Sequence, residues 1–231
     1  MIAIIPARKG SKRLNDKNFK YLNKKPLIYW TIRAAKKSKL IKDVFISSDS
    51  HKLIKYASKF DVKNLGIRPN NLSKDNSKAI DVYLYEYQKI LNKYKSNKDF
   101  VVLLPTSPLR NHKHIDEAIK VYRDLKVDSL ISCKKLKKDI SNWKFNLTSK
   151  KKIIKLSSLN KKKIMNNVKN LNSYVPNGAI YILNYDKIKK TKSYYFKKTY
   201  AYIMKDINSV DIDTEEDLNY CKYLVSKYNI L

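Results

Sequence analysis

Short apolar runs alternate with longer amphipathic segments along most of this 231-residue chain, and this alternation constrains the fold most strongly. The runs IAII, VFISS and FVVLL are typical of buried strands, and segments with apolar residues at helical spacing follow them. Such an order predicts a single α/β domain (residues 1–231) with a mostly parallel, mixed sheet and helices on both faces. Ligands of such sheets bind beyond the carboxyl ends of the strands, so the loops there are the first candidates for a site.

The remaining elements follow from the same patterns. Helices are predicted in PLIYWTIRAAKKSKL, with Pro26 at its start, in HKLIKYASKF, in KAIDVYLYEYQKILNKY, at about His114–Leu125 and from about Thr214. Further strands are predicted near residues 62–65 and in DSLISC, NGAIYIL and TYAYIM. Residues 134–175 break the rhythm with a lysine-rich stretch that also holds Trp143 and Phe145, and they indicate short strands or an excursion from the sheet.

The net charge of +31 would ordinarily indicate a nucleic-acid or membrane partner, but it reflects a general excess of lysine. Only six of the 51 basic residues are arginine, so the arginines that fall in the motifs below indicate places where a rigid guanidinium fork is favoured. No apolar stretch approaches the ~20 residues of a membrane span, and we expect a cytoplasmic protein without a membrane partner. Cys133 and Cys221 are predicted to be reduced and packed.

The segment IIPARKGSKRLNDKN, residues 4–18, concentrates basic and turn-forming residues directly after the first strand. It is not a Walker A sequence, but it can bind phosphates in a similar way. Gly10 would let the backbone approach a polyphosphate, and Ser11 and the turn N–H groups would donate hydrogen bonds. Arg8, Lys12 and Lys17 would neutralise its charge. By residue type alone, a solvated basic loop is an equally good interpretation.

The segment VDID, residues 210–213, carries two carboxylates at the end of a predicted strand. Asp211 and Asp213 are two residues apart, so on an extended chain they point to the same side. One or two carboxylates together with substrate phosphates and waters are a usual set of Mg²⁺ ligands. The alternative is helix capping, because Thr214 and Asp217 resemble a capping box. Capping does not account for Asp211.

Five groups of motifs occur in one order along the chain: IIPARKGSKRLNDKN with KPLIYWTIRAA, VFISSDS with RPNNLSKDNSKAIDV, LLPTSPLR, PNGAIYI, and VDIDTEEDL. Together they resemble the acylneuraminate cytidylyltransferases, which activate nine-carbon sugar acids as CMP derivatives. The resemblance implies a Rossmann-like nucleotidyltransferase fold, a CTP site in the amino-terminal half and a homodimer, with a dimerisation excursion at about residues 134–175.

The resemblance also implies roles for individual residues. Nucleotide binding would involve Arg8, Gly10, Ser11, Lys12, Lys17, Asn18, Arg68 and the backbone near Ser77. Sugar binding would involve Leu104, Lys144, Asn177, Tyr181, Tyr194 and Tyr195. Asp211 and Asp213 would bind Mg²⁺, and Arg8, Lys17 and Asp211 would be catalytic. The implied reaction is attack of the sugar's anomeric hydroxyl on the α-phosphorus of CTP, with release of pyrophosphate.

Departures from the family pattern bear on the sugar. Leu104 stands where members often have glutamine, and Asn167 stands where an Arg-Gln pair is usual, leaving Lys144 or Lys169 as candidates to bind the sugar carboxylate. With its aromatic neighbours, such a pocket predicts a nonulosonic acid with a terminal methyl group, such as legionaminic or pseudaminic acid, rather than N-acetylneuraminate.

The sequence leaves two alternatives to the activation of a nine-carbon sugar acid. One is an enzyme that activates the eight-carbon acid Kdo, whose group lacks the GSK and KN pattern of the opening loop. The other is a nucleic-acid-binding protein that uses the lysine-rich stretch with Trp143 and Phe145. The even spread of lysine favours solvated faces, so we expect no specific nucleic-acid partner.

Overall fold

A computed structural model describes residues 1–94, 96–136 and 174–231 in full, and the backbone of two further strands at 145–147 and 153–155. The strands are β1 Ile2–Pro6, β2 Tyr21–Leu22, β3 Lys25–Pro26, β4 Asp43–Ser47, β5 Asp99–Val102, β6 Ser129–Lys135, β7 Phe145–Leu147, β8 Ile153–Lys155, β9 Tyr174–Asn184 and β10 Thr199–Ile203. The α-helices are α1 Leu27–Lys37, α2 His51–Ser58, α3 Ala79–Lys93, α4 His112–Asp124, α5 Tyr185–Thr191 and α6 Glu215–Tyr228.

Six strands form the main sheet in the order β10-β6-β9-β5-β1-β4. β1 pairs in parallel with β4 and β5, and β10 pairs in parallel with β6. β9 runs antiparallel between β5 and β6. The predicted α/β fold with a mostly parallel, mixed sheet is therefore confirmed.

Helices cover both faces of the sheet, which explains why the residues of β1 (IAIIP) are apolar throughout. Ala3 and Ile5 pack on the face covered by α1, α2 and α4. Ile2 and Ile4 pack on the opposite face, against α3 and α5. A third apolar cluster joins α6 to α1 and to the segment around Leu22. No helix in the described ranges combines the length and apolarity needed to cross a membrane.

Two predicted elements differ from the structure. Residues 62–65 do not form a strand, since only Lys63 makes a β-bridge, to Phe45. The left-handed backbone of Asp61 (φ 54°) and of Gly66 (φ 103°) turns the chain at each end of this segment. Helix α4 begins at His112, two residues earlier than predicted, because the Asn111 side chain caps it by accepting the backbone N–H of His114 at 3.2 Å.

Two smaller predictions are confirmed. Cys133 in β6 and Cys221 in α6 are both buried free thiols, and burial raises the pKa of each. Thr214 and Asp217 form a capping box at the start of α6. Capping thus accounts for Thr214 and Asp217, and it leaves Asp211 without a structural role of that kind.

Candidate active site

A cavity of about 350 Å³ opens beyond the carboxyl ends of β1 and β5, where the α/β fold was expected to bind a ligand. Its walls come from the basic loop after β1, from the segment that leads into α3, and from the segment after β5. Seven of the eight predicted nucleotide-binding residues line it: Arg8, Gly10, Ser11, Lys17, Asn18, Arg68 and Ser77. The eighth, Lys12, does not line the cavity and is largely exposed.

The basic loop is held in place from two sides. On one side, the Asn18 amide nitrogen donates to the carbonyl of Arg8 at 2.9 Å. On the other, the Asp49 carboxylate accepts the backbone N–H of Lys9 at 2.7 Å. A Cβ at Gly10 would meet no protein atom within 4 Å, so the space beside this residue is open to a ligand. Asn18 and Asp49 therefore shape the loop that presents Arg8.

Arg68 occupies the inner end of the cavity, and its side chain is almost fully buried. Its Nε donates to the Ser73 hydroxyl at 3.1 Å, and its Nη2 lies 3.9 Å from the Asp49 carboxylate. Burial is the main cause that lowers the pKa of the guanidinium group. A buried cation without a close carboxylate can bind an anionic or carbonyl-bearing ligand.

We expect Arg68→Lys to weaken CTP binding, because the ammonium group keeps the charge but loses the planar fork that reaches Ser73 and the cavity together. A charge-assisted hydrogen bond contributes about 1–3 kcal/mol, which corresponds to roughly 5- to 150-fold in affinity. Isothermal titration calorimetry with CTP measures the change. The matched control is Arg33→Lys on α1, outside this cavity, for which CTP affinity should stay within about twofold of wild type. If Arg68→Lys bound CTP as tightly as wild type, the role of Arg68 in CTP binding would be wrong.

The two predicted metal-binding carboxylates lie next to the basic loop. Lys17 Nζ is 2.8 Å from Asp213 and 3.1 Å from the carbonyl of Ile212, and Lys17 also lines the cavity. Arg13 Nη2 binds the other oxygen of Asp213 at 2.7 Å. The structure therefore brings Lys17 and Asp213, which are 196 residues apart in sequence, into one site.

Asp211 lies against Gly178 and is more exposed to solvent than Asp213. A Cβ on Gly178 would come within 3.3 Å of the Asp211 carboxylate, and the backbone there has φ +74°, which favours glycine. Desolvation by the surrounding protein is the main cause that raises the pKa of Asp211, and Asp213 adds to it, although hydrogen bonding with Thr106 opposes the shift. Asp211 also lines a second cavity, of about 370 Å³, together with Lys134 and Ser209.

This pair of carboxylates fits a hard divalent cation. Asp211 is ionisable, still accessible to solvent and destabilised as an anion, so a cation beside it would be favourable. Within the described ranges no group of three or more His, Cys, Asp or Glu side chains is arranged around a common point. Two protein carboxylates completed by phosphate oxygens and water are nevertheless the usual Mg²⁺ arrangement.

The predicted sugar-binding residues divide into three groups. Leu104 lines the cavity, whereas Tyr181 and Tyr194 do not. The ring centroids of Tyr181 and Tyr194 lie 5.8 Å apart, and that of Tyr194 lies 6.1 Å from Tyr83, which does line the cavity. Tyr195 is 62% exposed, and the buried Asn177 uses its side chain to bind Ser132 and Ser209. Lys144, Asn167 and Lys169 lie outside the described residues. Sugar contact by Tyr195 and Asn177 stays a prediction.

Sequence reasoning missed several residues of the site. Asp75 and Tyr83 line the cavity from the segment leading into α3 and from α3 itself, and Thr106 contacts Asp211 from the segment after β5. Arg110, which is fully buried, donates to the carbonyls of Leu104 and Ala179 and to the Thr31 hydroxyl. Its rarity as an arginine, within PTSPLR, was the signal that could have identified it.

A basic loop after β1, a cavity beyond the parallel strands and a nearby carboxylate pair are features typical of nucleotide-binding α/β proteins. The sequence profile of the cytidylyltransferase family matches residues 2–230. The chain belongs to that family.

Relatives with assigned names agree with this membership. The chain is 36% identical over 218 residues to the N-acylneuraminate cytidylyltransferase of Streptococcus agalactiae serotype V, covering 94% of this chain but 51% of that protein. It is 31% identical over 221 residues to the CMP-N,N'-diacetyllegionaminic acid synthase of Legionella pneumophila, covering 94% of this chain and 92% of that protein. The chain thus spans about half the length of the N-acylneuraminate relatives it matches first.

Solved structures agree on the fold. A CMP:2-keto-3-deoxy-manno-octonic acid synthetase in complex with CTP superposes with a TM-score of 0.67 at 14% identity, covering 98% of both chains. A 4-diphosphocytidyl-2C-methyl-D-erythritol synthase from Anaerococcus prevotii superposes with a TM-score of 0.63 at 13% identity, covering 97% of both chains. At these identities the likeness establishes the nucleotidyltransferase fold of this chain.

Proposed function

We propose that this protein transfers CMP from CTP to the anomeric hydroxyl of a nonulosonic acid and releases pyrophosphate. The observation that carries the proposal is the contact between Lys17, which lines the basic cavity, and Asp213 of the carboxylate pair. This contact supports the proposal because it brings a positive charge that can bind phosphate next to a carboxylate that can bind a cation. The names of the relatives supply the class of sugar.

In the proposed reaction the sugar hydroxyl oxygen forms a bond to the α-phosphorus, and the bond from that phosphorus to pyrophosphate breaks. Arg8 and Lys17 bind the departing pyrophosphate and stabilise its charge. Asp211 and Asp213 would hold Mg²⁺, which when bound supplies positive charge at the α-phosphoryl group and lowers the pKa of an attacking hydroxyl. Arg13 pairs with Asp213 at 2.7 Å and neutralises part of the charge of this carboxylate pair.

For the sugar, we propose a nonulosonic acid that ends in a methyl group, such as legionaminic or pseudaminic acid. Leu104 and Tyr83 supply apolar surface to the cavity wall, and the ring of Tyr194 packs on that of Tyr83. A sugar hydroxyl left without a hydrogen-bond partner against this apolar wall costs about 1–3 kcal/mol of binding free energy. The similarity to the legionaminic acid synthase over nearly the full length of both proteins points in the same direction.

One assay tests both proposals: pyrophosphate release from CTP and Mg²⁺ in the presence of N-acetylneuraminate, legionaminic acid or pseudaminic acid. We expect release to require CTP, metal and one of these acids, and kcat/KM to be roughly 10-fold or more higher for a 9-deoxy acid, given the cost of one unpaired hydroxyl. Release with none of them would contradict the proposed function. A preference for N-acetylneuraminate would contradict only the choice of sugar.

Assembly, location and the alternative substrates belong to the same proposal. We propose a homodimer in the cytoplasm, with residues 134–175 contributing to the dimer contact. A Kdo enzyme is the alternative substrate class, and adding Kdo to the same assay distinguishes it. A nucleic-acid-binding role predicts steeply salt-dependent binding through phosphates, and sequence-selective binding near physiological salt would favour it over the enzyme.

A further inference from the structure

An acidic side chain occupies the phosphate-binding side of the nucleotide cavity. Asp75 Oδ1 lies 2.8 Å from Arg8 Nη1, and Asp75 Oδ2 lies 2.7 Å from Lys12 Nζ. One carboxylate thus bridges two cations of the basic loop with both of its oxygens. A phosphate group would present oxygens to the same two cations in the same manner.

Asp75 comes from a segment that holds its own shape without this carboxylate. The segment lies between the 3₁₀ turn at Asn70–Leu72 and helix α3. The Ser77 backbone N–H donates to the Lys74 carbonyl at 3.1 Å, and the Ser77 hydroxyl donates to the Asn71 carbonyl at 2.8 Å. Releasing Arg8 and Lys12 from Asp75 therefore breaks none of the bonds that fold this segment.

The charge state of the bridge agrees with this geometry. The hydrogen bond from Lys12, together with the charge of Arg8, lowers the pKa of Asp75 below its ordinary value, so the carboxylate is ionised at neutral pH. It is also partly exposed, with 44% of the side chain accessible. Exposed ion pairs contribute little stability, so an incoming polyphosphate of higher charge can displace the carboxylate.

We propose that Asp75 competes with the nucleotide's phosphates for Arg8 and Lys12. Asp75 holds these two side chains when no nucleotide is bound, and the need to release them lowers the affinity for the polyphosphate. The proposal rests on the proposed function in one respect, since it takes Arg8 and Lys12 as phosphate contacts. Asp75 is then an affinity-determining residue, and it does not touch the reacting atoms.

The experiment compares wild type with Asp75→Asn by calorimetry, using cytidine, inorganic pyrophosphate and CTP as probes and no sugar. We expect CTP and pyrophosphate to bind about 3- to 10-fold more tightly to the variant, a modest effect because the pairs are exposed. Cytidine, which has no phosphate, should bind equally to both proteins. The difference should shrink as salt is raised, since the competition is between exposed charges.

Asp16→Asn is the matched control. Asp16 belongs to the same loop, pairs with Lys52 at 3.5 Å and does not line the cavity. Its left-handed backbone (φ 52°) is one that asparagine tolerates well, so the variant removes the same charge without strain. We expect the pyrophosphate affinity of Asp16→Asn to stay within about twofold of wild type, because solvent and salt screen the effect of an exposed charge outside the cavity.

The outcomes separate this proposal from the proposed function. Unchanged or weaker pyrophosphate binding by Asp75→Asn overturns the competitor role. An equal gain in affinity for cytidine also overturns it, because it would indicate a general change of the cavity. Wild type that binds pyrophosphate but not CTP contradicts the proposed function, while the Asp75 comparison still holds for pyrophosphate. Wild type that binds none of the three overturns both.

Discussion

Asp211→Asn should lower turnover at least ~10²-fold, the scale on which enzymes lose rate when a principal electrostatic group is removed. The asparagine keeps the shape that packs against Gly178, but it loses the charge that would bind Mg²⁺. Stability should not fall, because desolvation raises the pKa of Asp211 and so disfavours its charged form, which the variant removes. Steady-state pyrophosphate release and thermal unfolding measure the two effects.

The control for this prediction is Asp186→Asn at the start of α5, where the carboxylate pairs loosely with Lys98 at 3.6 Å, outside the nucleotide cavity. Its turnover should match that of wild type. If Asp211→Asn instead retained near-normal turnover, the metal-binding role of this carboxylate would be wrong. If it lost both stability and turnover, Asp211 would be a structural residue.

Arg110→Met should lower the free energy of unfolding by about 3 kcal/mol, since the Ala179 carbonyl and the Thr31 hydroxyl each lose a buried donor at about 1–3 kcal/mol while one desolvation cost is removed. The Leu104 carbonyl still accepts from the Thr31 hydroxyl. Arg110 is 1% exposed and joins Thr31 of α1, Leu104 after β5 and Ala179 of β9. Burial lowers the pKa of its guanidinium to about 9, so it still carries charge at neutral pH. For a chain of this size we expect Tm to fall by about 6–12 °C.

Arg123→Met provides the comparison, because it makes the same substitution at an exposed position of α4. Its free energy of unfolding should stay within about 0.5 kcal/mol of wild type. Chemical denaturation of both variants gives the values. An Arg110 variant as stable as the Arg123 variant would mean that the three hydrogen bonds do not hold these elements together.

The sheet could be predicted from the sequence because its central strands β1 and β5 are almost wholly apolar, as burial on both faces requires. The direction of β9 could not, since NGAIYIL has the same pattern in either orientation and the choice depends on its neighbours β5 and β6. The missing strand near Lys63 has a related cause. Its apolar residues pack well in an extended segment, but the turns at Asp61 and Gly66 leave room for one bridge.

The site was predictable where a residue type is unusual for its position. Gly178 is one of three glycines in the chain, and it does lie where a Cβ is not tolerated. Gly10 differs, because its surroundings are open. The ion pairs of Asp75 could not be predicted from the sequence, because one aspartate in a polar segment has no local signature. Its two partners are more than 60 residues away. Pairings of this kind depend on how distant segments meet.

The antiparallel pairing of β6 with β9 bears on how much the length of the chain between them can vary. The two strands are paired as far as Lys135 and Tyr174, so the chain leaves the sheet and returns to it at neighbouring points. Insertions between such points cost little free energy, about 0.6 kcal/mol for each doubling of loop length. The length of chain between β6 and β9 can therefore change while the cavity at the ends of β1 and β5 is kept.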